Sequence, residues 1–325
     1  MKTVLIVGAG QLGSRHLQGL IKSTIESFDI HILDTSDEAL RIAHEREQEI
    51  IHSHKINYHS NWENLPKRFF IVIVATNSNV REQIITRLLT DYNVTYLILE
   101  KVLFQELEAY DRVSEILANN QVKVWVNHPR RMFGHYKQIK SILDGQSQNL
   151  TFSVVGTNWG LGCNSLHFID LFSFLSESVV TEIDSGWIHH AIIPSKREGY
   201  SEFTGTINGR MANGTTFTLN SLPGLPGPIT VMAANQFERI IIQESGIPQM
   251  VRLSASDKFL VQVSAISSYY QSSLTTQLIE DLISNGICEL PTYEDAKLQH
   301  TLFIKETLLK YNQITGINTK TCPIT

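Results

Sequence analysis

One short glycine-rich segment, residues 8–13, constrains the fold of this chain more than any other part of the sequence. It reads Gly-Ala-Gly-Gln-Leu-Gly and fits the pattern G-x-G-x-x-G. The segment follows a run of β-branched residues and leucine, and it opens a stretch with leucine and isoleucine at helical spacing. A glycine-rich turn between a strand and a helix directs free backbone N–H groups at an anion, which is how a dinucleotide pyrophosphate is bound.

Each glycine of this turn has a distinct role in dinucleotide binding. Gly8 permits the tight turn, Gly10 lets the backbone approach the pyrophosphate, and Gly13 allows the helix to pack closely on the strand. Gln11 and Leu12 complete the turn and begin the helix. We therefore predict that residues 8 and 10–13 contact the cofactor.

Asp34 strengthens this prediction and indicates which cofactor is bound. It follows the second predicted strand and lies 21 residues after Gly13, where a carboxylate binds the ribose hydroxyls. The same carboxylate repels a 2′-phosphate, and no arginine follows directly. We predict NAD as the cofactor rather than NADP. The alternative is a flavin-binding or structural turn in which Asp34 caps a helix.

The first third of the chain alternates short β-rich runs with helical stretches, which predicts a doubly wound parallel sheet with right-handed crossovers. The predicted strands are residues 3–7, 30–33, 69–75, 96–99 and 122–126, and the predicted helices are residues 11–25, 36–49, 80–89 and 105–119. The run at 69–75 is continuously apolar, as in a strand that is buried on both faces.

After residue 127 the pattern changes to closely spaced strands with Gly, Asn or Pro between them, which predicts an α+β domain with a mostly antiparallel open sheet. The predicted strands are 150–159, 186–193, 199–207, 215–222, 229–233 and 237–243, and the predicted helices are 131–143, 166–175, 269–283 and 293–311. A chain of 325 residues suggests two domains at roughly 150 residues each. We place an NAD-binding domain at residues 1–127 and a substrate and oligomerisation domain at residues 128–325.

Composition argues against several classes of partner. A net charge of -5 disfavours nucleic acid, because phosphate neutralisation needs a basic surface. The apolar run at 69–75 is far shorter than the roughly 20 residues that cross a bilayer. The three cysteines are widely spaced and form neither a CxxC pair nor a metal-ligand cluster. We expect a reduced, cytoplasmic protein with no metal, nucleic-acid or membrane partner.

Glu100 and Lys101 are the first candidates for chemistry beyond the cofactor turn. They follow a predicted strand, and ligands bind at the carboxyl ends of the strands of an open parallel sheet. Side chains alternate along a strand, so one of the two faces the cleft. A lysine there takes a proton from a substrate hydroxyl if burial and the positive nicotinamide ring lower its pKa. The alternative is a surface ion pair.

The second candidate is a polar stripe on an otherwise apolar helix. Cys163, Asn164, His167 and Asp170 are spaced so that all four share one face. A neutral histidine offers one donor and one acceptor nitrogen, which suits proton transfer beside a hydroxyl. We predict that this stripe contacts the substrate. For a single histidine, a core position with satisfied hydrogen bonds would be the alternative.

Arg130 and Arg131 follow the last strand of the first domain, at the predicted domain junction. A guanidinium group binds hydroxyls, carboxylates and phosphates, so both arginines are candidates for substrate binding. The alternative is a salt bridge between the domains.

These motifs together resemble the glucose–fructose oxidoreductase / inositol dehydrogenase / MocA (Gfo/Idh/MocA) family. The resemblance runs from residue 2 to about residue 175 and is only architectural afterwards. The glycine turn is similar to the opening turn of the family. Ala75, Thr76 and Asn77 stand where the family has an Ala-Thr-Pro loop beside the cofactor. Glu100, Lys101 and Val102 resemble its Glu-Lys-Pro signature.

The resemblance also implies roles for individual residues. Lys101 matches the catalytic lysine of the family and His167 its catalytic histidine, with Asp170 as the acid three residues further on. Residues 127–132 resemble the segment whose arginines line the cleft. It implies a homo-oligomer, a dimer or tetramer, formed through the C-terminal sheet. More weakly, it points to a sugar or nucleotide-sugar substrate in surface-polysaccharide metabolism.

Three departures from the family pattern leave more than one function open. Family dehydrogenases usually carry Asp where this chain has Cys163, and Asn77 and Val102 replace prolines. The first hypothesis is an NAD-dependent oxidoreductase acting on a secondary alcohol or ketone of a sugar derivative. The second is a cofactor-binding regulator without turnover, and the third is a lyase that oxidises its substrate transiently and returns the hydride.

Overall fold

The computed structural model describes residues 1–145 and 149–325, which divide into two structural units. The first unit comprises Met1–Phe104, Glu108–Pro129 and Tyr269–Glu294. The second unit comprises Gln105–Leu107, Arg130–Ser268 and Asp295–Thr325. The segment from residue 269 to 294 thus returns to the first unit, which the sequence analysis did not foresee. Within the described ranges, no helix has the length and apolar character needed to span a bilayer.

Six parallel strands form the core of the first unit. They are β1 (Lys2–Val7), β2 (Phe28–Leu33), β3 (Lys55–His59), β4 (Arg68–Val74), β5 (Asn93–Leu99) and β6 (Lys123–Val126). Their order in the sheet is β3-β2-β1-β4-β5-β6, and every pairing is parallel. The prediction of a doubly wound parallel sheet is confirmed, and β3 is a strand that the sequence analysis missed.

Five helices cover this sheet. They are α1 (Gln11–Lys22), α2 (Asp37–Gln48), α3 (Ser78–Asp91), α4 (Leu107–Asn120) and α7 (Gln271–Asn285). Helix α7 packs on α1, with Thr276 Oγ1 donating to the carbonyl of Gly19 over 2.8 Å and Ser23 Oγ donating to Glu280 Oε1 over 2.9 Å. These contacts attach a segment from late in the chain to the first crossover helix.

A sheet of eight strands forms the core of the second unit, together with a separate two-stranded ribbon of β9 and β10. The strands are β7 (Thr151–Thr157), β8 (Val180–Asp184), β9 (Ile193–Pro194), β10 (Ser201–Glu202), β11 (Gly205–Met211), β12 (Thr216–Leu222), β13 (Thr230–Ala234), β14 (Glu238–Gln243), β15 (Gln249–Ser254) and β16 (Val261–Ala265). The order of the larger sheet is β16-β15-β14-β13-β7-β12-β11-β8, and only the β12–β7 pair is parallel. The prediction of a mostly antiparallel sheet is confirmed.

Helix α6 (Leu161–Ser176) packs against one face of the larger sheet, where Phe172 stacks on Phe152 with ring centroids 4.5 Å apart. The unit also contains most of a short 3₁₀ turn at Pro129–Met132, α5 (Gly134–Leu143), a second 3₁₀ turn at Ala255–Asp257, and most of α8 (Tyr293–Thr315). The opposite face of the sheet carries half-buried and exposed side chains along β7, β13, β14, β15 and β16.

The predicted strand at residues 186–193 is wrong. Apart from Ile193 at its last position, the segment turns instead, because Asp184 Oδ1 accepts from Gly186 N over 2.8 Å and the carbonyl of Ser185 accepts from Ile188 N over 3.1 Å. The strand lies earlier, at β8. The helix predicted from residue 131 begins at Gly134 and the helix predicted from 166 begins at Leu161. Strands β15 and β16 were not predicted.

Candidate functional site

The glycine-rich turn has the geometry that its sequence predicts. It leaves β1 at Val7, and Gly8 adopts a φ of 98°, in the left-handed region. A Cβ placed on Gly13 would lie 1.7 Å from the carbonyl oxygen of Gly8. Any side chain at residue 13 would therefore push α1 away from β1. The turn needs glycine at both positions to bring the start of the helix against the end of the strand.

The start of α1 is open where the turn is tight. A Cβ placed on Gly10 would meet no described atom within 4 Å, and Gly10 and Gln11 are exposed. The first turn of the helix has no acidic residue, and no described side chain caps its N-terminus. Free N–H groups and the positive end of the helix dipole thus face accessible space. This cradle fits the pyrophosphate of a dinucleotide.

Asp34 is attached to the turn from the end of β2. Its Oδ2 accepts from Ala9 N over 2.7 Å and its Oδ1 accepts from Ser36 N over 2.9 Å. Ser36 is the N-cap of α2 and accepts from Ala39 N over 3.2 Å, so Asp34 is not the cap of that helix. An ionised carboxylate has about four acceptor sites, so both oxygens retain capacity for the ribose hydroxyls of a dinucleotide.

The loop after β4 lies against the same turn. Ala75 N donates to the carbonyl of Val7 over 2.8 Å, and a Cβ on Gly8 would lie 2.9 Å from the carbonyl carbon of Ala75. Thr76 Oγ1 is buried and forms no hydrogen bond with any described residue. A buried hydroxyl without a partner is costly, and a polar group of a bound ligand would satisfy it. Asn77 is exposed.

Glu100 and Lys101 occupy different environments. Glu100 is 3% exposed, and its Oε1 accepts from His16 Nε2 over 2.9 Å and from Asn127 Nδ2. Lys101 is half-buried at the carboxyl end of β5. The acid therefore belongs to a buried hydrogen-bond network inside the first unit rather than to a surface pair. Sequence analysis did not predict His16 or Asn127 as its partners.

The polar stripe on α6 differs in burial from the rest of that helix. Between residues 161 and 170, only Cys163, Asn164 and His167 are half-buried, and all the other residues are buried. Asn164 Nδ2 donates to the carbonyl of Trp159 over 2.6 Å. The three residues thus form the accessible side of the first half of α6, whereas Asp170, the fourth predicted member of the stripe, is buried.

An acid from β10, which sequence analysis missed, lies at the beginning of this stripe. Glu202 is 6% exposed and accepts from Gly162 N over 2.7 Å and from Cys163 N over 3.0 Å. The position that a Cβ would take on Gly160 lies 2.8 Å from Cys163 Sγ, 2.9 Å from Asn164 Nδ2 and 3.2 Å from Glu202 Oε1. A carboxylate therefore occupies the start of α6 beside Cys163, where it stabilises the positive end of the helix dipole.

Both candidate arginines form bidentate ion pairs inside the second unit. Arg130 donates to Glu244 over 2.9 and 2.8 Å, and its guanidinium lies 4.1 Å from the ring centroid of Phe168. Arg131 donates to Asp170 over 2.7 and 2.6 Å. These pairs are not salt bridges between the two domains, the alternative that the sequence left open.

Burial and the neighbouring positive charge have opposite effects on the pKa values of the two acids in these pairs. Burial raises the pKa of Asp170, which is fully buried, and the attraction of Arg131 opposes that rise. For Glu244, burial also acts to raise the pKa, but the charge of Arg130 and the hydrogen bonds that it and Tyr136 donate outweigh it and lower the pKa. Tyr136 donates to Glu244 over 2.6 Å, and burial raises the pKa of that tyrosine.

The structure thus forms two groups from the predicted site residues. The glycine turn, Asp34, residues 75–77 and the Glu100–Lys101 pair lie at the carboxyl edge of the sheet in the first unit. The arginines and the α6 stripe belong to the second unit. Arg81, a buried arginine of α3 that contacts the first group, was also missed.

The comparisons with known proteins identify the class of the first unit. Residues 2–128 match the model of a family described as an oxidoreductase family with an NAD-binding Rossmann fold. This part of the chain is therefore similar to the Gfo/Idh/MocA oxidoreductase family, as its motifs predicted, and the prediction of NAD as the cofactor is confirmed at the level of the family. No curated protein sequence matches the chain.

Solved structures share the fold over nearly the whole chain. An oxidoreductase from Agrobacterium radiobacter, solved with NAD+, L-tartaric acid and magnesium, is 14% identical with a TM-score of 0.72, covering 93% of this chain and 94% of that one. Levoglucosan dehydrogenase in complex with NADH is 14% identical with a TM-score of 0.73, covering 96% and 97%. A super-repressor mutant of Gal80p from Saccharomyces cerevisiae is 16% identical with a TM-score of 0.73, covering 97% and 96%. At these identities the similarity establishes the fold alone.

Proposed function

We propose that the protein is an NAD-dependent dehydrogenase or reductase acting on a secondary alcohol or ketone of a sugar or nucleotide sugar. The observation that carries this proposal is the position of Lys101. It lies half-buried at the carboxyl end of β5, on the same sheet edge as the glycine turn and Asp34. A basic side chain at this edge, beside a dinucleotide cradle, is suited to proton transfer coupled to a redox step.

The bound nicotinamide supplies the hydride chemistry, and the protein supplies position and proton transfer. Asp34 and the free N–H groups of α1 would hold the ribose and the pyrophosphate of the dinucleotide. Lys101 accepts the proton of the substrate hydroxyl during oxidation and returns it during reduction. His167 assists as a second proton-transfer group. Cys163 and Asn164 contact the substrate beside it, and Arg130, Arg131 and Asp170 complete the substrate-binding set.

The sugar class of the substrate is supported by one of the structural neighbours, levoglucosan dehydrogenase, and by the resemblance to members of sugar pathways. We place the reaction in surface-polysaccharide sugar metabolism. We also propose a reducing, cytoplasmic location, which the small number and wide spacing of Cys163, Cys288 and Cys322 support.

The direct test is NADH absorbance across a panel of sugars and sugar nucleotides. Wild type should reduce NAD⁺ with at least one of them, and Lys101→Met should lower kcat by about 10²–10⁴-fold while NADH affinity is retained. Lys123→Met is the matched control, since this exposed lysine lies in β6. A Lys101→Met variant with near-normal kcat would contradict the assignment of the lysine.

A second candidate function is that of a cofactor-binding regulator without turnover. Two observations favour it: the presence of Cys163 and the structural similarity to Gal80p. The Kluyveromyces lactis form of Gal80p is described as a transcriptional regulator. Cys163→Asp separates the two functions. Turnover that wild type has and the variant loses supports an enzyme adapted to its substrate. Turnover that is present only in the variant supports the regulator.

We also propose a homo-oligomer, a dimer or tetramer, that forms through the outer face of the large sheet. One cross-strand row on this face runs through Ser153, Met232, Ile241, Val251 and Val263. Four of these five side chains are apolar, yet all five are half-buried or exposed. Val263→Asp should produce the monomer in light scattering after gel filtration. The control is Val179→Asp, an exposed valine outside the sheet. An unchanged oligomer would exclude this face.

A further inference from the structure

Arg81 joins two loops that the proposed reaction uses. It lies in α3, is 1% exposed, and donates from one guanidinium nitrogen to the carbonyls of Val102 and Leu103. Its other terminal nitrogen donates to the carbonyl of Thr76. Val102 and Leu103 directly follow Lys101, and Thr76 belongs to the loop against the glycine turn. A single buried cation therefore bonds to main-chain oxygens of both loops.

We infer that Arg81 is a positioning residue that holds the Lys101 loop and the Thr76 loop in fixed relation to each other. The inference rests on the proposed function, because it assigns a purpose to the position of Lys101. The planar guanidinium presents its N–H donors in a rigid fork, so the carbonyls must occupy particular places to be bound together. Hydrogen bonds from a charged donor are stronger than neutral ones, and burial keeps water from replacing them.

The other side of Lys101 is held independently of Arg81. Glu100 accepts from His16 and Asn127, and His16 Nδ1 lies 2.8 Å from Thr275 Oγ1. The residue before Lys101 is thus bound through its side chain, and the residues after it are bound through their carbonyls. The backbone is therefore held on both sides of Lys101. Only the attachment after Lys101, through Arg81, also involves the loop that contains Thr76.

This sharing gives the inference a measurable consequence. A residue that only supports the fold would change stability and leave the binding and reactivity of the folded protein alone. A residue that aligns the two loops would change NADH affinity, through Thr76, and the chemical reactivity of Lys101, through the carbonyls of Val102 and Leu103. Both changes should arise from one substitution.

The test compares Arg81→Ala, Arg81→Lys and a control, Arg87→Ala. Arg87 lies on the same helix, is exposed, and pairs with Asp91 over 3.7 Å. NADH affinity is measured by fluorescence titration, and the reactivity of Lys101 by competitive acetylation and mass spectrometry. Neither readout requires turnover, and each is repeated with millimolar ethylguanidinium.

Arg81→Ala should weaken NADH binding by about tenfold and change the acetylation rate of Lys101 by about threefold or more. Ethylguanidinium should restore both quantities, because it supplies the missing fork of donors. Arg81→Lys should remain impaired, because its compact ammonium cannot reproduce the fork. Arg87→Ala should leave both quantities at wild-type values.

Folded Arg81→Ala with both quantities within about twofold of wild type would overturn the inference, and so would a change in only one of them. If Arg81→Ala fails to fold, Arg81→Lys is measured in its place, and wild-type values in that variant overturn the inference. Failure of both variants to fold, even with ethylguanidinium, overturns it as well, because the cation is then purely structural. Absence of sugar turnover in wild type, with both readouts changed as expected, contradicts the proposed function and supports the positioning role.

Discussion

The carboxylate of Asp34 accepts a hydrogen bond from the backbone N–H of Ala9 over 2.7 Å. This bond links the end of the second strand to the middle of the glycine-rich turn, although the two residues are far apart in sequence. It places a negative charge at the rim of the cradle formed by Gly10 and the start of α1. The choice between cofactors should depend on this charge.

Asp34→Ser should narrow the preference for NADH over NADPH. In wild type, the 2′-phosphate of NADPH would approach a carboxylate, so NADH should bind at least about tenfold more tightly. The serine variant retains a hydroxyl but removes the repulsion. Calorimetric titration of both cofactors measures the difference, and Asp37→Ser, at an exposed acid in the first turn of α2, is the control. Equal affinities in wild type would contradict the role of Asp34.

Two substitutions within the turn should separate folding from binding. Gly13→Ala places a methyl group 1.7 Å from a backbone oxygen, so it should destabilise the fold by about 3 kcal/mol or more. Gly10→Ala meets no described atom within 4 Å and should leave the melting temperature unchanged. The same variant should weaken NADH binding by about tenfold or more, because its methyl group occupies the approach of the pyrophosphate. Differential scanning fluorimetry and fluorescence titration on both variants test this contrast.

The buried pair of Arg131 and Asp170 should matter far more for stability than a surface pair. Asp170→Asn leaves the guanidinium without its charged partner and should cost about 3 kcal/mol of unfolding free energy. The control is Glu177→Gln, because Glu177 pairs with Lys140 over 2.9 Å at the surface. That change should cost less than about 1 kcal/mol. Urea denaturation of both variants gives the comparison, and equal costs would contradict the burial argument.

The free energy of unfolding should decrease as the solution becomes more acidic, because His135 takes up a proton on unfolding. Burial lowers the pKa of this histidine to about 4 in the folded protein. Because the unfolded chain binds the proton more readily, the contribution is complete above about pH 6.5 and is lost as the pH falls towards 4. We expect His135→Phe to remove about 2 kcal/mol of the wild-type loss over this range. Thermal and urea unfolding at pH 7, 5.5 and 4 test it, with exposed His190→Phe as the control.

The parts of the fold that follow from local sequence were predictable. The glycine turn, Asp34 and most parallel strands lie in short segments whose residue order carries the signal. Strand β3 was missed because Lys55–His59 is an edge strand with no buried side chain to give an apolar pattern. The attachment of α7 to the first unit depends on contacts with α1 across more than half the chain, which periodicity does not encode.

The candidate site shows the same division. Lys101 and His167 could be predicted as site residues because their neighbours in sequence form motifs. Glu202, which caps α6 from 40 residues away, has no such context. Arg81 has the sequence setting of an ordinary helix residue, and only the fold brings the carbonyls of two loops to its guanidinium. The role of a residue that positions other residues depends on tertiary contacts, which its neighbours in sequence do not reveal.

Net hydride transfer between a sugar and NAD is tested most directly by deuterium tracing. Wild-type protein is mixed with NAD⁺ and a carbon-deuterated sugar identified by the absorbance panel, and the reduced cofactor is analysed by mass spectrometry. We predict that wild type forms NADH carrying one deuterium per molecule, and that Lys101→Met forms almost no labelled NADH in the same time. A deuterium that returns to the product without net NADH would indicate the lyase. Cofactor that stays unlabelled and oxidised with every deuterated sugar that binds would contradict an oxidoreductase.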